Sequence, residues 1–164
     1  MANQEHVAII KKGADGWNKW REENPGVKPD LAWATLASTD LTGINLEGAN
    51  MKLAFCKGSN FSGARLGRAT LFGTNLEGAN LSGAALEGAT LEGAHLIKAD
   101  LSGANLRGVN LKLANMQDAI LEGADLTGCV KLTAEQLSAV KTLRNAKLDP
   151  ALSEQLSGSH PELF

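Results

Sequence analysis

Residues 79–108 read ANLSGAALEGATLEGAHLIKADLSGANLRG, and a large apolar residue returns at every fifth position: Leu81, Leu86, Leu91, Leu96, Leu101 and Leu106. The register extends outward on both sides. Upstream it takes in Leu31, Leu36, Leu41, Leu46, Met51, Cys56, Phe61, Leu66, Leu71 and Leu76, and downstream Leu111, Met116, Leu121 and Leu126. Cys56 is the one short residue in the series. A period of five is neither the turn of an α-helix nor the two-residue alternation of a strand. Held over about a hundred residues, a fixed short period signals a repeat architecture.

Each pentad has further rules. Two positions before the large residue sits a small one, as at Ala49, Ala64, Ala79, Ala94 and Ala119. One position before it is often Asn or Asp, as at Asn45, Asn50, Asn60, Asn75, Asn80, Asp100, Asn105 and Asp125. Two positions after it is usually Gly, giving the consensus A-(D/N)-L-x-G. Gly supplies a positive φ, and Asn and Asp bond their own backbone at turns, so a turn is expected in every pentad. The Leu and the small residue point inward and the other three positions face solvent. A coil stacked on itself satisfies its backbone groups between layers.

On these residues the chain resembles the pentapeptide repeat family. The resemblance implies an all-β repeat solenoid, a right-handed quadrilateral β-helix in which four pentads make one square coil. Twenty pentads then give about five coils and a rod about 24 Å long.

The composition fits such an interior. The chain has 164 residues, 43% apolar but only 4% aromatic, no Tyr and eighteen Gly. Gly weakens helix interiors, so eighteen in register argue for turns. A formal charge of −2 points away from a basic nucleic-acid binder or a polybasic membrane anchor. Cys56 and Cys129 lie 73 residues apart, both on inward positions, and read as buried thiols of a reducing compartment. The N-terminal MANQEHVAIIKKG has no long apolar run. The expectation is a cytoplasmic protein that does not engage a membrane.

Three segments follow: a helical lead-in over residues 1–28, the repeat over 29–130 and a helical C-terminal segment over 131–164. Val7, Ile10, Ala14 and Trp17 share a helix face, with Gly13 and Gly16 weakening it and Asn24-Pro25-Gly26 ending it. Thr133 with Gln136 forms a capping box ahead of an apolar stripe of Leu137, Val140 and Leu143. Asp149-Pro150 opens a second helix reaching about Leu156 and stopped by Gly158, and the tail from His160 is expected to fray. A solenoid exposes a Leu layer and unpaired backbone at each end, so both helical segments read as caps. Residues 17–31, WNKWREENPGVKPDL, resemble the lead-in of small bacterial members of the family.

Stacking makes residues twenty apart neighbours, so departures from the consensus can be mapped. Leu53 and Leu113 stand where Gly is the rule, Phe55 stands where Asn is, and Phe72 points outward. Leu53, Phe55 and Phe72 should therefore cluster at one corner of the second and third coils. Two readings of the cluster stand: a partner-contact patch, or a surface over which the lead-in folds back. Inside the second coil, Met51, Cys56, Phe61 and Leu66 read as volume compensation, a short Cys beside a long Phe. Ile44 and Val109 replace the small inward residue.

No constellation for chemistry emerges. His6, His95 and His160 fall in the lead-in, mid-rod and the tail, and His95 stacks between Asn75 and Asn115 as a solvent-facing ladder. No phosphate loop, nucleophile elbow or metal-ligand spacing is present, and a filled prism offers no cleft. The reading is a non-enzyme without cofactor, metal or catalytic residues. It acts as an interaction or structural scaffold on an unidentified protein partner, as a monomer or weak dimer. The alternative is a DNA-mimic modulator of a type II topoisomerase, a role the resemblance allows for some members. Mimicry needs a dense negative field. Residues 31–130 carry nine acids and seven bases, a net of only two negative charges.

Overall fold

The computed structural model describes residues 1–164. From Asp30 onward, parallel bridges join each residue before a large apolar one to its counterpart twenty positions on: Asp30 to Asn50, Asn50 to Thr70, Thr70 to Thr90, and so to Val130. Twenty residues are thus one circuit of four pentads. The bridges are single-residue contacts rather than long strands, because the chain turns before a strand can extend. Rungs run both ways between circuits. Leu36 N–H donates to Phe55 C=O at 2.8 Å, and Phe55 N–H donates down to Ala34 C=O at 2.9 Å.

The pentad rules have visible physical causes. All twenty positions two after the large residue have positive φ, thirteen of them Gly and seven not: Trp33, Ser38, Leu53, Arg68, Lys98, Leu113 and Asp118. The turn is therefore dictated by the stack, and Gly only makes it easy. In twelve pentads the Asn or Asp side chain accepts from the backbone N–H two residues on, as Asn80 does from Ser82 at 2.9 Å. None of the twenty large apolar residues is more than 2% exposed, so the period of five is the core. At two polar inward positions the side chain finds a carbonyl in the coil below: Ser59 Oγ bonds Leu36 C=O, and Thr74 Oγ1 bonds Met51 C=O at 2.8 Å. Cys129 does the same with Leu106 C=O at 3.1 Å, but it is half-buried rather than enclosed as expected.

The lead-in is two helices, α1 (Gln4–Ile10) and α2 (Ala14–Glu23). They break at Gly13, whose φ is 98°, while Gly16 stays helical. Ile10 and Trp17 are buried against the rod's core. Trp17 Nε1 donates to Asn45 C=O at 2.7 Å, Asn18 Nδ2 to Gly43 C=O at 3.1 Å, and Arg21 to Glu47 C=O at 3.1 Å. His6 Nδ1 accepts from Asp30 N–H at 2.9 Å.

Beyond residue 130 the structure differs from the sequence reading. Helix α3 (Ala134–Ser138) has its capping box, with Thr133 and Gln136 bonded reciprocally, but it ends before Val140 and Leu143. Thr142 and Lys147 instead bridge Ile120 and Asp125, now twenty-two residues away. The short helix is spliced into the coil, its two extra residues shift the register, and Leu143 becomes the buried residue of a further pentad. Asn145 takes the positive φ that Gly supplies elsewhere. Helix α4 (Pro150–Ser159) runs straight through Gly158. The tail is not frayed: Pro161–Leu163 make a 3-10 turn, Leu163 is buried, and its C=O accepts from Leu143 N–H at 2.6 Å.

Candidate functional site

Of Leu53, Phe55 and Phe72, which the column map puts at one corner, the structure sets Leu53 beside Phe72, with Phe55 two residues further along the chain. Phe55 is 43% exposed and Phe72 38%, while Leu53 is half-buried. Leu53 N–H donates to Phe72 C=O at 2.8 Å, which fixes the two side by side. Leu53 lays its side chain over Gly73, so close that a Cβ there would come within 2.6 Å of Leu53 Cδ2. Lys52 Nζ stands 5.2 Å from the Phe72 ring centroid and makes no ion pair.

The structure adds a fourth member, Trp33, which the sequence reading missed. It is 62% exposed, bonded to the next coil through its N–H and Lys52 C=O at 2.9 Å. The signal was present: Trp33 is twenty residues before Leu53 and also occupies a Gly position. The lead-in does not cover this corner. Its bonds fall on Gly43, Asn45 and Glu47 and, through Asn3 and His6, on Asp30, yet Trp33, Phe55 and Phe72 stay exposed. An aromatic and aliphatic surface with one lysine therefore stands open on a rod faced mostly by polar and charged side chains.

Charged groups elsewhere neutralise one another between coils. Five of the nine rod acids have a base within 4.0 Å: Glu47 with Arg65, Glu77 with Lys57, Glu92 with Lys112, Glu122 with Arg144, and Asp125 with Arg107 and Lys147. Asp40 and Asp100 share a column but are separated in it by Asn60 and Asn80. A depression on the rod lined by Gly67 and Ala85 mixes Arg65, Arg68 and Arg107 with Glu47 and Glu87. It offers no concentrated field of either sign.

The titratable groups are spread out. His95 sits in its bridge ladder between Asn75 and Asn115, and His160 pairs with Glu162 at 3.1 Å. No group of three or more His, Cys, Asp or Glu is placed to hold a metal ion. Burial pushes the Cys56 thiol up to about 12, and burial also raises Cys129 to about 12. Neither is an activated nucleophile. No helix is long and apolar enough to cross a membrane.

The sequence matches the profile of the pentapeptide repeats in eight copies, over residues 30–68, 64–103, 74–112 and 94–130. Among solved structures, it is similar to a pentapeptide repeat protein from the Arabidopsis thaliana thylakoid lumen. The two are 32% identical over 68% of this chain and 79% of that one, with a TM-score of 0.56. A pentapeptide repeat protein from the cyanobacterium Cyanothece 51142 is 28% identical over 75% of this chain and 67% of that one, with a TM-score of 0.51. A plasmid-mediated fluoroquinolone resistance protein aligns at 26% identity over 75% of this chain and 63% of that one, with a TM-score of 0.38. No curated protein matches the sequence. Neighbours of this kind imply a right-handed quadrilateral β-helix.

Proposed function

Because this chain belongs to the pentapeptide repeat family, we propose that it is a non-catalytic scaffold: a rod of about five square coils, closed by helices at both ends, that binds a protein partner through one corner. The observation that carries this reading is the cluster of Trp33, Leu53, Phe55 and Phe72, which the lead-in leaves open. Exposed aromatic side chains, Trp above all, are the usual anchors of a contact hot spot. Free thiols at Cys56 and Cys129 suit a reducing, cytoplasmic setting. The charge pairing between coils weighs against a DNA mimic, which needs unneutralised acids in rows.

The test is affinity capture from native lysate with the wild-type protein and Phe72→Asp side by side, with circular dichroism confirming that both are folded. A partner retained by the wild type and lost by the folded variant is the expected result. Identical capture by both would overturn the assignment of this corner. A topoisomerase among the captured proteins would bring back the mimic.

A further inference from the structure

Within the rod, the residue before each large one sends its N–H to a carbonyl one circuit earlier. Asn50 donates to Pro29 C=O, Thr70 to Ala49 and Thr90 to Ala69, each at 2.9 Å. Asp30 heads this column and has no coil beneath it. Helix α1 supplies both missing partners. Asn3 N–H donates to Asp30 C=O at 3.0 Å, and Asp30 N–H donates to His6 Nδ1 at 2.9 Å. Asn3 also caps α1, its Oδ1 accepting from Glu5 N–H and His6 N–H. The helix thus meets the rod through a rung whose acceptor is an imidazole, and His6 is the one histidine that accepts from the backbone.

A backbone amide only donates, so Nδ1 carries the lone pair and the ring proton sits on Nε2. The ring is 6% exposed, 4.9 Å from Trp20 and 6.5 Å from Trp17, which it meets edge to face. A second proton would set Nδ1–H against Asp30 N–H and leave both without an acceptor. Turning the ring over puts carbon opposite the amide, which orphans it equally. The indoles attract an imidazolium, but they give Asp30 N–H no partner. No carboxylate lies within 4.0 Å of either ring nitrogen to hold the charge. From the rod side, the Asp30 carboxylate accepts from Asn50 Nδ2 at 2.9 Å and Ala32 N–H at 3.2 Å, and Lys28 is exposed. On α1 and the turn after it, Glu5, Lys11 and Lys12 are exposed. On α2, Asp15, Lys19, Glu22 and Glu23 are exposed, and Arg21 is turned to Val27 C=O and Glu47 C=O.

The two helices are held unequally. Trp17, Asn18 and Arg21 tie α2 to the first coil, and Asn18 Oδ1 also accepts from Asn45 N–H at 2.7 Å. The bonds at Asp30 are all that tie α1 to the rod, beside the burial of His6 and Ile10. Between the helices stands Gly13, at φ 98° and with open space where a Cβ would be. A swing about Gly13 can therefore free α1 without dislodging α2.

We propose that α1 is a proton-operated latch on the first coil. It is closed while His6 is neutral. It swings out as pH falls through the range in which histidines ordinarily titrate, about pH 8 to 5, and uncovers the part of the core beneath Ile10 while α2 stays docked.

The test is amide hydrogen exchange by NMR on the full-length protein at about pH 7.5 and 5.5, as protection factors corrected for the intrinsic pH dependence of exchange. The Asp30 and α1 amides should lose about tenfold or more in protection at the lower pH, while Asn50 and α2 keep theirs. The His6 Nδ1 resonance should take up its proton with the same midpoint. His6→Asn places a carboxamide oxygen where Nδ1 stands and does not titrate, so its α1 protection should be the same at both pH values. Unchanged α1 protection in the wild type would overturn the latch, as would a pH-dependent loss that survives in His6→Asn. A His6 midpoint apart from that of α1 opening would also overturn it. So would loss of protection by α1, α2 and Asn50 together, which is unfolding of the whole chain.

Discussion

Lys52 carries its ammonium 5.2 Å from the centre of the Phe72 ring, although the two are twenty residues apart in sequence. At an exposed site such a contact contributes about 0.5–1 kcal/mol. Neither residue fills the core, so Phe72→Asp should change unfolding free energy by no more than about 1 kcal/mol in urea titration. A loss of several kcal/mol would make the corner part of the rod's packing.

Leu53 and Gly73 provide a second test. Gly73→Ala and Gly93→Ala put the same methyl at φ of +61° and +65°, but only the first meets a neighbour, Leu53 Cδ2. Both variants should lose about 1 kcal/mol from backbone strain, with Gly73→Ala the worse. Adding Leu53→Gly should remove the difference. Lys98→Gly, at φ +56° and exposed, should gain about 0.5 kcal/mol. Thermal melts of the four variants decide it.

Met51, Cys56, Phe61 and Leu66 fill one coil and are all fully buried. Cys56→Leu should cost about 1–3 kcal/mol by overpacking, and Phe61→Leu should leave a cavity and also destabilise. The double variant should be more stable than the two losses summed. Strict additivity in urea titrations would show that the two side chains do not share space.

Asp125 should contribute to pH dependence. Bonds from the Thr127 hydroxyl and the Thr127 amide, with Lys147 and Arg107 nearby, hold its carboxyl below the ordinary carboxylate value. A depressed carboxyl stabilises the fold above its unfolded value, about pH 4, and loses that contribution as pH falls through the folded value. Asp125→Asn should therefore have a lower denaturation midpoint than wild type at pH 7, with the gap closing in acid. A gap that stays constant down to pH 2 would contradict this.

Trp17 joins the lead-in to the rod by burial and by its bond to Asn45 C=O. Trp17→Ala should cost about 3–5 kcal/mol. A limited proteolysis time course should then show cleavage in the lead-in before the rod.

The rod was legible because its code is local. Each pentad states its own inward residue, turn and Asx bond, and a column map follows from counting twenty. That counting placed Leu53, Phe55 and Phe72 at one corner, and carried one coil further it reaches Trp33. What the sequence hid came from competition between two codes. The stripe of Leu137, Val140 and Leu143 fits a helix as well as it fits a helical turn followed by a coil, and only stacking on Ile120 and Asp125 decides between them. The tail was misread for a related reason. Leu163 gains its burial and its bond to Leu143 from a surface built by residues twenty away.

The most direct test of the central claim is photo-crosslinking from the corner itself. p-Benzoylphenylalanine would replace Phe72 in one protein and Ser82, half a circuit away on the opposite face, in another. Each would be irradiated in native lysate. The account predicts a discrete cross-linked partner from position 72 and none from position 82. Equal cross-linking from both positions, or none from position 72 in the folded protein, would contradict it.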